Sequence, residues 1–149
     1  VKTLFSFLIG KGLLFLVKIK KMSIFTKIIK GEIPSYKVAE NNEFYAFLDI
    51  NPNAKGHTLV VPKKEVNKLF ELDKDTYNGL MDFSREVAIA MKKVISCDRI
   101  GMAVIGLEVP HVHVHLIPLQ KMEDIQFIKK VKLTPEEFEA LAKAIAGEL

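Results

Sequence analysis

The chain has 149 residues, 49% hydrophobic and 27% charged, which are the proportions of one ordinary globular domain and exclude a disordered chain. Its net charge of +4 does not mark a polyanion-binding protein: five lysines (Lys2, Lys11, Lys18, Lys20, Lys21) and no acid fall in the first 21 residues, so the rest carries about −1. No dense basic face for nucleic acid is expected there, and the single cysteine, Cys97, cannot pair within the chain and fits a reducing, cytoplasmic setting.

Leu4 to Val17 is largely apolar, but Gly10-Lys11-Gly12 splits it into runs shorter than the roughly 20 residues a spanning helix needs. No small-x-small cleavage site follows before Lys18, Lys20 and Lys21, which argues against a signal peptide. Residues 1–21 are expected to be an N-terminal extension outside the native protein, with a basic membrane-surface anchor as the alternative. Residues 22–149 are expected to form the domain.

Ser23 can cap a short helix over Ile24 to Lys30, closed by Gly31, and Pro34 then forces an extended exit. Tyr36 to Glu40 and Phe44 to Leu48 read as a hairpin around Asn41-Asn42-Glu43, and His57 to Val61 as a third strand ended by Pro62. From about Asp75 to Ser96 the apolar residues follow one helical face. Ile100 to Ile105 and His111 to Pro118 read as two more strands. Thr134-Pro135-Glu136-Glu137 has a capping-box spacing with proline at the first helical position, so Phe138 to Ala146 is expected to be helical. Strands joined by short turns, with helices between groups of them, predict an α+β fold with an antiparallel sheet of about five strands. No Gly-rich dinucleotide or Walker sequence is present.

Three of the four histidines alternate along one expected strand, His111-Val112-His113-Val114-His115. On an extended strand these positions share a face at intervals of about 6 to 7 Å. Imidazole titrates near neutrality and can act as nucleophile, acid or hydrogen-bond relay. A zinc site is the competing reading, but the first and third positions lie about 13 Å apart along a strand, whereas ligating nitrogens must approach to roughly 3.5 Å. Two could share an ion with His57 or a carboxylate, and no acid stands next to His57 in the sequence.

From Ser23 to Leu149 the chain resembles the histidine-triad (HIT) hydrolases. The resemblance rests on His-Val-His-Val-His-Leu-Ile, on Ile24 to Ser35, and on Phe47-Leu48-Asp49-Ile50-Asn51-Pro52 through Gly56-His57-Thr58-Leu59-Val60-Val61-Pro62-Lys63. It implies a homodimer formed through the main helix and a sheet edge, and a nucleotide substrate, expected to contain AMP, attacked without a cofactor or metal. His113 would be the nucleophile, forming a nucleotidyl-histidine. His115 would bind phosphate and assist the leaving group, and His111 and His57 would orient His113. Asp49 would bind the ribose hydroxyls, with Ile24, Phe25, Ile28, Phe47, Leu48 and Ile50 around the base and Gly106 beside the phosphate. Thr26 stands where some members carry a zinc-ligating cysteine, so that zinc site is not expected.

Ile105 to Pro110 departs from the family pattern. It lacks the Asn, Gln or Ser that would donate to phosphate, and it places Glu108 there instead. At 4 Å a carboxylate repels a phosphate by about 1 kcal/mol in water and roughly 4 kcal/mol at an effective dielectric of 20. Glu108 must point away, be protonated, or receive an amine leaving group. Two alternatives stay open beside the hydrolase: a nucleotide-binding module without turnover, and a metal-dependent enzyme using the histidine row.

Overall fold

The computed structural model describes residues 4–9, 13–18 and 20–149, and side chains from Lys20 onward. Strands β1 (Leu4–Ile9) and β2 (Leu13–Lys18) pair antiparallel as a two-stranded sheet of their own. The described residues of the extension before Lys20 are therefore strand, and the Gly10-Lys11-Gly12 break lies outside the described residues. Among the described residues no helix is long and apolar enough to cross a membrane.

The remaining elements are α1 (Ile24–Ile29), β3 (Lys37–Glu40), β4 (Phe44–Leu48), β5 (Thr58–Pro62), α2 (Lys74–Val94), β6 (Arg99–Ala103), β7 (Val114–Leu119) and α3 (Pro135–Ala146). The five strands β3 to β7 form one sheet in the order β3-β4-β5-β7-β6, and every neighbouring pair is antiparallel. The expected α+β architecture is thus observed, with strand and helix ends displaced by a few residues.

Local chemistry accounts for the ends of these elements. Ser23 caps α1 by accepting from the Thr26 N–H, Asp73 caps α2 in the same way from Thr76, and Thr134 and Glu137 form the anticipated capping box at α3. Gly56 enters β5 at φ 96, a backbone state that side chains with a Cβ rarely adopt, so this turn calls for glycine.

Alternation divides the sheet into two faces. Ala46, Leu48, Val60, Val112, Val114 and Leu116 point toward α2 and α3 and form the main core with Leu80, Val87, Met91 and Ile145. Tyr45, Phe47, Leu59 and Val61 point the other way and pack with Phe25 and Ile28 of α1. The candidate site lies on this second face.

Candidate active site

β7 enters the ladder at Val114, later than the sequence pattern predicts. The cause is a three-residue turn at Pro110, closed by the His111 N–H donating to the Val109 carbonyl at 2.9 Å. The even spacing of the histidine row therefore survives only in part. The rings of His113 and His115 lie side by side, 4.9 Å between centres, whereas His111 turns aside into bonds of its own.

Backbone partners fix the protons on these rings, because a carbonyl can only accept and an amide N–H can only donate. His113 Nδ1–H donates to the His111 carbonyl at 2.7 Å. A neutral His113 therefore carries its lone pair on Nε2, as a nucleophile requires. His111 Nε2–H donates to the Pro62 carbonyl at 2.7 Å, which leaves Nδ1 to accept from the Ser23 hydroxyl at 2.6 Å. On the other side, His57 Nδ1 accepts the Asn53 N–H at 3.1 Å. Its Nε2–H then donates to His115 Nδ1 at 2.9 Å, so His115 keeps its own proton on Nε2. One ring thus presents a lone pair while its neighbour presents an N–H.

Burial favours the uncharged form of three of these rings, His57, His111 and His115. His57 and His111 are wholly buried, and His113 and His115 are 6% and 8% exposed. Desolvation, helped by the neighbouring charges, pulls His57 down to about 3 and His115 to about 4. Burial also lowers His111, against the opposing pull of the Pro62 carbonyl and Glu65. The carboxyl of Asp49 is raised, chiefly by its own burial.

The fold brings Asp49 to His57 after all, with Oδ2 3.7 Å from Nε2, since the end of β4 runs beside the start of β5. Asp49, His57 and His115 each offer a ligand atom within 4.8 Å of the others. The donor set does not suit an ion as it stands. His57 Nδ1 is occupied by the Asn53 N–H, so Nε2 holds the proton, and a metal there would demand an imidazolate.

Of the apolar residues expected around a base, Phe25, Ile28 and Phe47 come together, with Phe25 edge-on to Phe47 at 5.7 Å and to His113 at 4.9 Å. Ile24 and Ile50 are exposed at the margin, 47% and 75%. Leu48 does not join them: strand alternation sends it into the main core on the opposite face. Gly106 adopts φ 73 in the loop before the histidines, with nothing within 4 Å of where a Cβ would stand, and Glu108 in the same loop is exposed.

Several contributors escape sequence reasoning because they arrive from distant parts of the chain. Ser23 reads as a helix cap and Thr26 as the place of an absent zinc-ligating cysteine, and nothing in the sequence singles out Glu65. In the structure Thr26 Oγ1–H donates to Glu65 Oε2 at 2.7 Å and the Ser23 N–H to the same oxygen at 3.3 Å. These three residues fasten α1 and the β5 exit to His111. Burial alone would raise Glu65, but the Thr26 and Ser23 bonds outweigh it and hold the carboxyl below its usual range. Asn53 and Phe127 are the other two, Phe127 packing edge-on to His115 at 4.8 Å. No spacing signal ties any of them to the histidines.

Residues 30–122 match the family model described as HIT domain. An uncharacterized HIT-like protein of Methanocaldococcus jannaschii is 37% identical over 131 residues, spanning 85% of this chain and all of that one. An adenosine 5'-monophosphoramidase of Schizosaccharomyces pombe is 35% identical over 130 residues, 85% of this chain and 97% of the relative. Among solved structures, a Hit-like protein from Bartonella henselae involved in cell-cycle regulation superimposes with a TM-score of 0.75 at 34% identity, covering 85% of this chain and 96% of that one. A zinc-bound histidine triad family protein from Mycobacterium smegmatis gives 0.72 at 25% identity, covering 84% and 93%.

Proposed function

The chain belongs to the HIT domain family, and on that footing we propose that it hydrolyses nucleotides at phosphorus through a covalent intermediate on His113. The observation that carries this reading is the pair of opposite ring states, a lone pair on His113 Nε2 beside an N–H on His115 Nε2. His113 Nε2 attacks the α-phosphorus, the bond to the leaving group breaks, and a nucleotidyl-imidazolium forms. Its positive charge is stabilised by the His111 carbonyl already bonded to Nδ1. His115 Nε2–H donates a hydrogen bond to a phosphate oxygen or the leaving atom. Water then attacks phosphorus, the P–N bond breaks, and His113 is restored.

The relatives named adenosine 5'-monophosphoramidase support an AMP-containing substrate. Phe25, Ile28 and Phe47 offer an apolar wall for the base, and Asp49 an acceptor for the ribose hydroxyls. Residues 22–149 are the catalytic domain in this reading, and no resident metal takes part. The homodimer implied by the family is supported by the edge position of β6 and by exposed Ile89 and Met102.

AMP release from adenosine phosphoramidate and diadenosine polyphosphates, with and without chelator, tests the reading. Chelator-resistant release is expected, falling about 10⁴-fold or more in His113→Ala. AMP binding without release in the wild type would instead support the binding module, and loss on chelation a metal enzyme.

A further inference from the structure

Negative charge at this site has few visible partners. His57 and His115 are held neutral by burial, the first at about 3 and the second at about 4. The polar side chain of the turn Ile105 to Pro110 is Glu108, itself an anion. Phosphoryl transfer depends mainly on positioning and charge stabilisation, and the protein must supply both.

The chain after β7 brings a cation to the histidines. Phe127 is held at φ 60, a backbone state that a bulky side chain rarely adopts, and its ring meets His115 at 4.8 Å and His57 at 6.0 Å, both edge to face. Lys130 Nζ stands 5.3 Å from the centre of that ring and donates to Asn53 Oδ1 at 2.7 Å. Asn53 is the residue whose backbone N–H sets the tautomer of His57, and its side-chain amide is anchored to the Asp124 carbonyl at 3.1 Å. One residue beyond, the Val131 N–H donates to the Pro52 carbonyl at 2.8 Å. The ammonium is thus fastened at the His57–His115 end of the site. One of its three protons goes to Asn53, and the side chain is exposed enough for the others to meet a ligand. Its charge reaches Asp49, His57 and His115. Lys129, one residue earlier, takes part in none of these contacts among the described residues.

We propose that Lys130 is a phosphate-binding residue of this site, selecting substrates whose negative charge continues beyond the reacting phosphorus, as in nucleoside polyphosphates, over those that lose an uncharged amine. The inference rests on the nucleoside-phosphate reading above. It differs from a purely structural role for the Lys130–Asn53 bond, which would act on every ligand alike. It differs also from a role through Asp49, which would act on the nucleoside.

Calorimetric binding of AMP, ADP and adenosine to the wild-type protein and to Lys130→Met, Lys130→Arg and Lys129→Met separates these cases. Lys130→Met is expected to weaken AMP about tenfold and ADP further, with adenosine within about twofold of wild type. Lys130→Arg keeps most of the phosphate preference, and Lys129→Met leaves all three affinities in place. Equal weakening of adenosine and AMP by Lys130→Met, or an unchanged AMP-to-adenosine ratio, overturns the assignment while the nucleotide reading stands. A wild-type protein that binds neither AMP nor ADP overturns both.

Discussion

The two faces of the five-stranded sheet are both buried, but different chemistry keeps them so. Toward α2 and α3 the sheet meets hydrocarbon: Leu80, Val87, Met91 and Ile145 are essentially inaccessible against Leu48, Val60 and Leu116, and Tyr36 stacks on Phe138 at 4.8 Å. Toward α1 the sheet buries His57, His111, His113 and His115 beside a small aromatic cluster. The first face tolerates no gap but asks for no particular partner. The second must satisfy each ring nitrogen that it hides from water, and it does so with carbonyls, amides and a serine drawn from across the chain. The hydrocarbon face shows the contrast in reverse: the side-chain oxygen buried without a hydrogen bond among the described residues is Ser84 Oγ, on α2.

Acid should separate the faces most strongly. The folded pKa values of His57, His111 and His115 are depressed by burial. Their contribution to stability is therefore complete above the unfolded value of about 6.5 and is lost as pH falls below it, toward about 3 for His57 and about 4 for His115. Asp49, raised by burial, opposes this as pH falls through its folded value toward its ordinary one of 3.8. Denaturant midpoints should drop steadily from pH 7 to 4.5, and His57→Phe should flatten the drop; an unchanged midpoint would mean that the rings are not held neutral by burial.

The hydrocarbon face should be the larger target for truncation. Leu80→Ala is expected to cost about 2–5 kcal/mol in urea unfolding while leaving turnover per folded molecule unchanged. Ser23→Ala removes both the α1 cap and the hydroxyl bonded to His111, and should cost about 1–2 kcal/mol. Unlike Leu80→Ala it should also lower kcat, with Ser23→Thr restoring part of the loss. Equal effects on kcat from the two truncations would dissolve the distinction between the faces. The smallest effect is expected at Ser84→Ala, neutral or stabilising by up to about 1 kcal/mol, because it removes an unpaired buried hydroxyl.

The same division explains what could be read in advance. The hydrocarbon face follows from periodicity: alternation on Val112, Val114 and Leu116 and the helical stripe on α2 place these residues without reference to anything distant. Caps at Ser23 and Thr134 are local and were equally legible. The histidine motif and its family resemblance point to His57, His111, His113 and His115, which the fold buries on one face of the sheet, yet the regular row fails at His111, because the turn at Pro110 delays the strand. Leu48, which the family resemblance sets near the base, instead follows strand alternation into the main core. Glu65, Asn53, Phe127 and Lys130 were silent, since each reaches the site through tertiary contacts that leave no periodic trace in the sequence.

The most direct test of the proton arrangement is the tautomeric state of the four imidazoles, read from nitrogen-resolved NMR of the histidine rings near pH 7. The expected pattern has His113 protonated on Nδ1, and His57, His111 and His115 protonated on Nε2. A proton on His113 Nε2, or on His115 Nδ1, would contradict the assignment of nucleophile and donor on which the proposed chemistry depends.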